Sequence, residues 1–155
     1  VTGVQTCALP ILSTIQSVID RFIHYYAELD SQPPSALSAL YHPDAVLQDP
    51  FGEHQGFVAI HRYFTHLLAN VEQCRFSIDP PLCDGQRFAV TWTMHWSHPH
   101  ISGNELLSLP GCSVVSVQGE HVLHQRDYYD AGEMLYEHLT LLGWAVRGVK
   151  KRVRA

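Results

Sequence analysis

Apolar residues recur at helical spacing along residues 13–29. Ile15, Val18, Ile19, Phe22, Ile23 and Tyr26 fall at i, i+3, i+4, i+7, i+8 and i+11, which lines one face of a helix for a core. Ser13 with Gln16 makes a capping box that predicts where this helix starts. Asp30-Ser31-Gln32-Pro33-Pro34 ends it, since proline cannot continue the hydrogen-bond ladder. Ser35 then caps a short second helix through Tyr41, and a short strand over residues 45–48 follows. Beyond Gly56, Phe57, Ile60, Phe64 and Leu67 share the face of a third helix.

After Asn70 the period drops to two. Cys74, Phe76 and Ile78 alternate with polar residues until Pro80-Pro81 stops the strand, and Asp84-Gly85 signals a hairpin. The next strand carries Phe88, Val90, Trp92, Met94 and Trp96 on one face and Ala89, Thr91, Thr93, His95 and Ser97 on the other. Gly103 turns the chain into a long strand over 104–117, where Pro110-Gly111 predicts a bulge or bend. Gln118-Gly119 turns it again into a last strand at 121–129. Asp130 with Glu133 caps a closing helix whose Leu135, Leu139, Leu142, Val146, Val149 and Val153 share one side. The order predicts an α+β fold in which three helices lie against one face of a curved antiparallel sheet. Such a sheet leaves a cavity open at one end.

Composition narrows the picture. The chain is 46% hydrophobic and 16% charged, the balance of a compact domain rather than a disordered one. Residues 1–11, VTGVQTCALPI, look like the translation of a sequencing-library adaptor and are read as an artefact, leaving 12–131 as the domain and 132–155 as a C-terminal helix. Outside that stretch remain Cys74, Cys83 and Cys112, an odd number without zinc spacing, which suits free thiols in a reducing cytoplasm. Five of the ten basic residues fall in the last nine positions, although the net charge is −5. The remaining body is therefore acidic, which argues against a nucleic-acid partner. No apolar run is long enough to span a membrane.

The element order, together with the line LYHPDAVLQDPFGEHQGFVAIHRYF, resembles the nuclear transport factor 2-like superfamily, in its SnoaL-like, ketosteroid isomerase-related branch. The resemblance implies a cone-shaped curved antiparallel sheet wrapped around N-terminal helices, a cystatin-like roll, with an extra C-terminal amphipathic helix here. It also implies a homodimer formed through the outer side of the sheet. This fold carries isomerases, cyclases, epoxide hydrolases, dehydratases and non-enzymatic binders, so it does not by itself decide an activity. The general base of ketosteroid isomerase precedes a proline in a DP-x-G context, and Asp49 matches it. The two oxyanion donors of that enzyme, a tyrosine and a protonated aspartic acid, align with Phe22 and near Cys112, so neither is present.

Asp49 at the lip of an apolar cavity is expected to have its charged form disfavoured and to serve as a base; the alternative is a turn opener before Pro50. In HQRDYYD, strand alternation puts Asp127 and Tyr129 on one face and Arg126, Tyr128 and Asp130 on the other. A last-strand aspartate supplies the acid/base in SnoaL-like cyclases, so the resemblance implies that role for an inward-facing Asp127; the alternative is an ion pair with Arg126 or Arg62, and Asp130 caps the helix. The expected pocket lining is Phe22, Tyr26, Phe51, Tyr63, Phe64, Val90, Trp92, Met94, Trp96 and Cys112, with Tyr26 able to replace the missing donor. His95, His98 and His100 do not converge at any ligand spacing, so no metal is expected, and proton transfer needs no cofactor. The functional expectation is a small, mostly apolar molecule, steroid- or polyketide-like, in a cone-shaped pocket, with isomerase, cyclase or hydratase chemistry. The alternative is a non-catalytic binding or interaction module. The basic end of the C-terminal helix, with Trp144, also suits a peripheral membrane contact, as well as the ordinary charge preference of a helix terminus.

Overall fold

The computed structural model describes residues 8–154, so residues 1–7 of the adaptor-like stretch lie outside the described residues. Helix α1 (Ala8–Ala27) is already helical at Ala8. Pro10 falls in its first turn, where a missing N–H forfeits no hydrogen bond, so Ser13 lies inside the helix rather than capping it. Gln16 reaches forward to Asp20 at 2.9 Å instead of back to a cap. The expected second helix is replaced by two 3-10 turns, Leu29–Ser31 and Pro34–Ala39. Tyr41, 1% exposed, is extended and opens β1 (Tyr41–Asp49), which is longer than residues 45–48.

The remaining elements are β2 (Gly52–Gln55), α2 (Phe57–Leu68), β3 (Gln73–Ile78), β4 (Leu82–Asp84), β5 (Arg87–Ser97), β6 (Leu107–Gln118), β7 (His121–Tyr129), α3 (Ala131–Met134) and α4 (Thr140–Arg154). The strand at 104–117 begins only at Leu107, because Ser102–Asn104 forms a 3-10 turn. The strands form one sheet in the order β2-β1-β7-β6-β5-β3, with β4 also pairing β5. One pair corrects the all-antiparallel expectation: β1 and β7 run parallel, with Leu47 opposite Gln125 and Gln48 opposite Arg126. A parallel pair needs a long crossover, and here everything from β2 to β6 supplies it.

Helix α1 buries Ile15, Val18, Ile19, Phe22, Tyr25 and Tyr26 against the inner face of the sheet. The Phe22 and Phe88 rings meet edge to face at 5.4 Å. Helix α2 adds Ile60 and Phe64. Each such side chain contributes about 1.5–3 kcal/mol by leaving water. The Phe88–Trp96 face of β5 is buried, as its alternation predicts. The expected bulge at Pro110-Gly111 is absent: Pro110 pairs with Thr93 and Gly111 with Trp92 in unbroken register, and the shift falls between Ser116 and Val117. Gly111 has another reason to be glycine. A Cβ there would lie 2.2 Å from Cη2 of Trp92, whose indole rests across the strand.

The closing helix is broken. The Asp130 side chain accepts from the N–H groups of Gly132 (2.8 Å) and Glu133 (3.3 Å) and caps only α3. Tyr136–His138 is a 3-10 turn, and Leu139 is extended at φ −83°, ψ 130°. α4 then folds back on that turn, where the Glu137 carbonyl fills the space a Cβ on residue 143 would need. Arg147 donates to the Glu137 carbonyl, and Lys150 donates to Asp130 (2.6 Å) and to the Glu137 carboxylate. The apolar side of α4 is consequently not buried on the sheet, and Leu142, Val149 and Val153 are exposed. Among the described residues no helix is long and apolar enough to cross a membrane.

Candidate functional site

The parallel register of β1 and β7 brings two carboxylates to one end of the inner face. Asp49 ends β1 before Pro50. Its Oδ1 accepts from the N–H groups of Phe51 (2.8 Å) and Gly52 (2.9 Å), closing the turn into β2. Its Oδ2 accepts from the Tyr63 hydroxyl and, at 3.2 Å, from the Tyr129 hydroxyl. Tyr63 comes from α2, with its ring stacked on His54 at 4.1 Å, and Tyr129 ends β7. Asp49 therefore ties β1, α2 and β7 together. Burial, reinforced by the Asp49 carboxylate, holds both phenols above their ordinary range, so they stay protonated as donors.

Asp127 sits one step along on β7. Its Oδ1 accepts from Ser113 Oγ at 2.6 Å and Gln125 Nε2 at 2.9 Å, while Oδ2 has only a longer contact to Gln125, at 3.2 Å. Ser113 Oγ accepts from Trp92 Nε1 at 2.9 Å, which leaves its single proton for Asp127. Gln125 is 0% exposed, and its amide also donates to Tyr26 at 3.1 Å while its carbonyl accepts from Tyr41 at 2.5 Å. The Tyr26 and Tyr41 hydroxyls share a bond of 2.7 Å. Part of the Asp127 surface opens onto the pocket, yet protein surrounds it on nearly every side. Burial pushes its carboxyl up to about 6, against the pull of Ser113 and Gln125 and with the Asp49 charge adding to the rise.

The pocket walls are apolar, with Leu47, Phe64, Phe76, Trp92, Met94 and Met134 around the two acids. Met134 arrives from α3, so the segment after β7 covers part of the mouth. Its open space is about 50 Å3.

A sequence profile of the SnoaL-like domain matches residues 22–125. The chain belongs to the SnoaL-like family. No curated protein sequence matches this SnoaL-like chain. Its fold is shared with solved structures of low identity. A ketosteroid isomerase-like protein from Catenulispora acidiphila DSM 44928, in complex with trimethylamine, is 16% identical with a TM-score of 0.69, over 82% of this chain and 95% of that one. A candidate SnoaL-like polyketide cyclase from Jannaschia sp. CCS1 is 11% identical with a TM-score of 0.67, over 81% and 91%. Another from Shewanella denitrificans OS-217 is 19% identical with a TM-score of 0.66, over 77% and 93%. At these identities the likeness is one of fold.

Within this SnoaL-like domain, Phe22, Tyr26, Asp49, Tyr63, Phe64, Trp92, Met94 and Asp127 line the pocket, as expected from the sequence. Four expected residues do not. Phe51 lies at the mouth, 45% exposed, with its ring 6.2 Å from Tyr129. Val90 is packed in the core away from the pocket, and Trp96 lines a separate surface hollow with His138. Cys112 pairs with Thr91 and Tyr128 on the outer face, because Ser113 takes the inward position. Tyr26 is held by Tyr41 and Gln125 and does not replace the missing donor. Asp49 is set differently from the poorly solvated base expected of it, since four donors satisfy it. Asp127 has no arginine partner: Arg126 turns outward to Gln48 at 2.8 Å and over the Tyr128 ring.

Ser113, Gln125, Tyr129 and Met134 were not singled out as site residues. For Gln125 and Tyr129 the signal is alternation along β7, which puts them on the face of Asp127, whereas Ser113 reaches that face from β6, directly opposite Asp127. His95 faces outward between Ser77 (3.3 Å) and Ser108 (3.1 Å), and His98 and His100 pair in the turn with ring centroids 5.7 Å apart. Among the described residues no three His, Cys, Asp or Glu side chains gather to hold a metal ion.

Proposed function

We propose that this SnoaL-like domain binds one small, largely apolar molecule beside Asp127 and moves a proton on it. The observation that carries the reading is Asp127 itself: a carboxyl sunk among apolar walls, raised to about 6, and oriented by Ser113 and Gln125. A group with that affinity for protons accepts and returns one near neutral pH. Oδ2, the less engaged oxygen, takes the proton from one position of the bound molecule and gives it back at another, which is isomerase or aldol-cyclase chemistry; in hydratase chemistry it takes the proton from a water whose oxygen adds to the bound molecule and returns that proton to the neighbouring carbon, and neither course draws on a cofactor. Asp127 takes the role of base in place of Asp49.

The volume limits the ligand. At about 15 Å3 per water, the space of about 50 Å3 admits a few waters or one molecule of about five non-hydrogen atoms. A steroid or polyketide does not fit the pocket as it stands. The Catenulispora protein, with trimethylamine bound, supports a ligand of this size in the fold.

The test is an NMR titration of the Asp127 carboxyl carbon, alone and with a library of small fragments. The reading expects a midpoint near 6 and fragments that move both that midpoint and the Trp92 indole signal. A midpoint below about 4.5 removes the catalytic role. The same small volume, well under the roughly 300 Å3 of ordinary ligand sites, favours a second reading, a non-catalytic module with its pocket filled by side chains. That reading predicts that no fragment enters.

A further inference from the structure

The pocket has an unusual electrical balance. Seven of its seventeen lining residues are aromatic, and its only charged lining groups are Asp49 and Asp127. Among the described residues no lysine, arginine or histidine lines it. Two carboxylates inside an aromatic enclosure are therefore left without a countercharge.

The hydroxyl inventory points the same way. Tyr63 and Tyr129 donate to Asp49, Tyr41 donates to Gln125, and Tyr26 is shared between Tyr41 and Gln125. The Ser113 proton goes to Asp127, and the Trp92 indole goes to Ser113. Among the described lining residues only the weakly donating Cys74 thiol is left for a ligand that arrives already negative, and such a ligand would lie beside the Asp49 and Asp127 carboxylates. Negative charge is thus disfavoured at this place by simple repulsion. Positive charge is favoured twice, by the carboxylates and by the ring faces.

Size completes the argument. Space for about five non-hydrogen atoms matches an ammonium nitrogen carrying methyl groups. Its methyls present an apolar surface to Phe76, Trp92 and Met94, while the charge spread over them faces the rings and Asp127. We propose that the pocket selects a small alkylated ammonium cation over a neutral molecule of the same shape. This rests on the reading that the pocket takes a small ligand, and it names the ligand's charge.

The test pairs two probes of five non-hydrogen atoms each, tetramethylammonium and tert-butanol. Binding to the full chain is followed by the Trp92 indole N–H signal. The expected result is tetramethylammonium at least about tenfold tighter. Asp127→Asn should weaken the cation about tenfold and the alcohol by clearly less. Phe76→Leu, which removes a ring face and touches neither acid, should also weaken the cation selectively, and it serves if the first variant does not fold. Equal binding, or tighter binding of tert-butanol, overturns the cation inference while the small-ligand reading stands. Failure of both probes to bind overturns the small-ligand reading and the inference with it.

Discussion

Asp49 and Asp127 share one pocket and have opposite duties. Asp49 spends both oxygens on structure, accepting from two backbone N–H groups and two phenols. Asp49→Ala strands all four donors, and a loss of about 2–4 kcal/mol is expected in denaturant unfolding. Asp127 is costly to the fold when ionised. Its folded carboxyl, raised to about 6, lies above the unfolded value of about 3.9, so the protonated folded state is the favoured one. Its contribution to stability is fully present below about pH 4 and is lost as pH rises through about 6. Asp127→Asn cannot ionise. The variant should therefore match the wild type near pH 4 and exceed it by up to about 3 kcal/mol at pH 7.5, as thermal unfolding across that range will show. The same variant should lower kcat by about 100- to 10,000-fold on any substrate found, the usual worth of a positioned proton carrier. A stabler and less active protein is what separates this residue from Asp49.

At the scale of elements, β6 governs how Asp127 is held. Gly111 leaves room for the Trp92 indole, the indole binds Ser113, and Ser113 turns its proton to Asp127. Gly111→Ala displaces the ring. It should cost about 1–3 kcal/mol by overpacking and raise the Asp127 midpoint further, because an oriented donor is lost; carboxyl NMR reads the shift. Much of this was legible beforehand. The period-two strands, the buried face of β5 and the inward turn of Asp127 all follow from alternation, which is local. Contacts that depend on distant chain were not legible. Alternation says which face Trp96 or Val90 takes, but not how far along the strand the pocket lies. A glycine beneath an indole looks like a bend, since nothing in the neighbouring residues names the ring above it. The apolar spacing of the last helix is genuine, yet the extended backbone at Leu139 breaks it and α4 packs on the preceding turn.

For the molecule as a whole, α4 is an addition whose polar ties run to Asp130 and Glu137 rather than to the sheet. Removing residues 140–155 should leave the Asp127 midpoint within about half a unit and the melting temperature within a few degrees. Calorimetry with carboxyl NMR tests this, and a large loss of either would show that α4 supports the pocket. The parallel pairing of β1 with β7 reaches further. Gln48 and Arg126, 78 positions apart, meet across it, and the two acids meet beside them. The loop to be closed takes in most of the domain, the kind of long-range contact that forms slowly. A chain still emerging from the ribosome carries Asp49 long before it carries Asp127, so the two acids come together only when its final strand docks beside its first. The proton transfer proposed for Asp127 would thus arrive all at once, with the docking of β7 on β1 that completes the sheet.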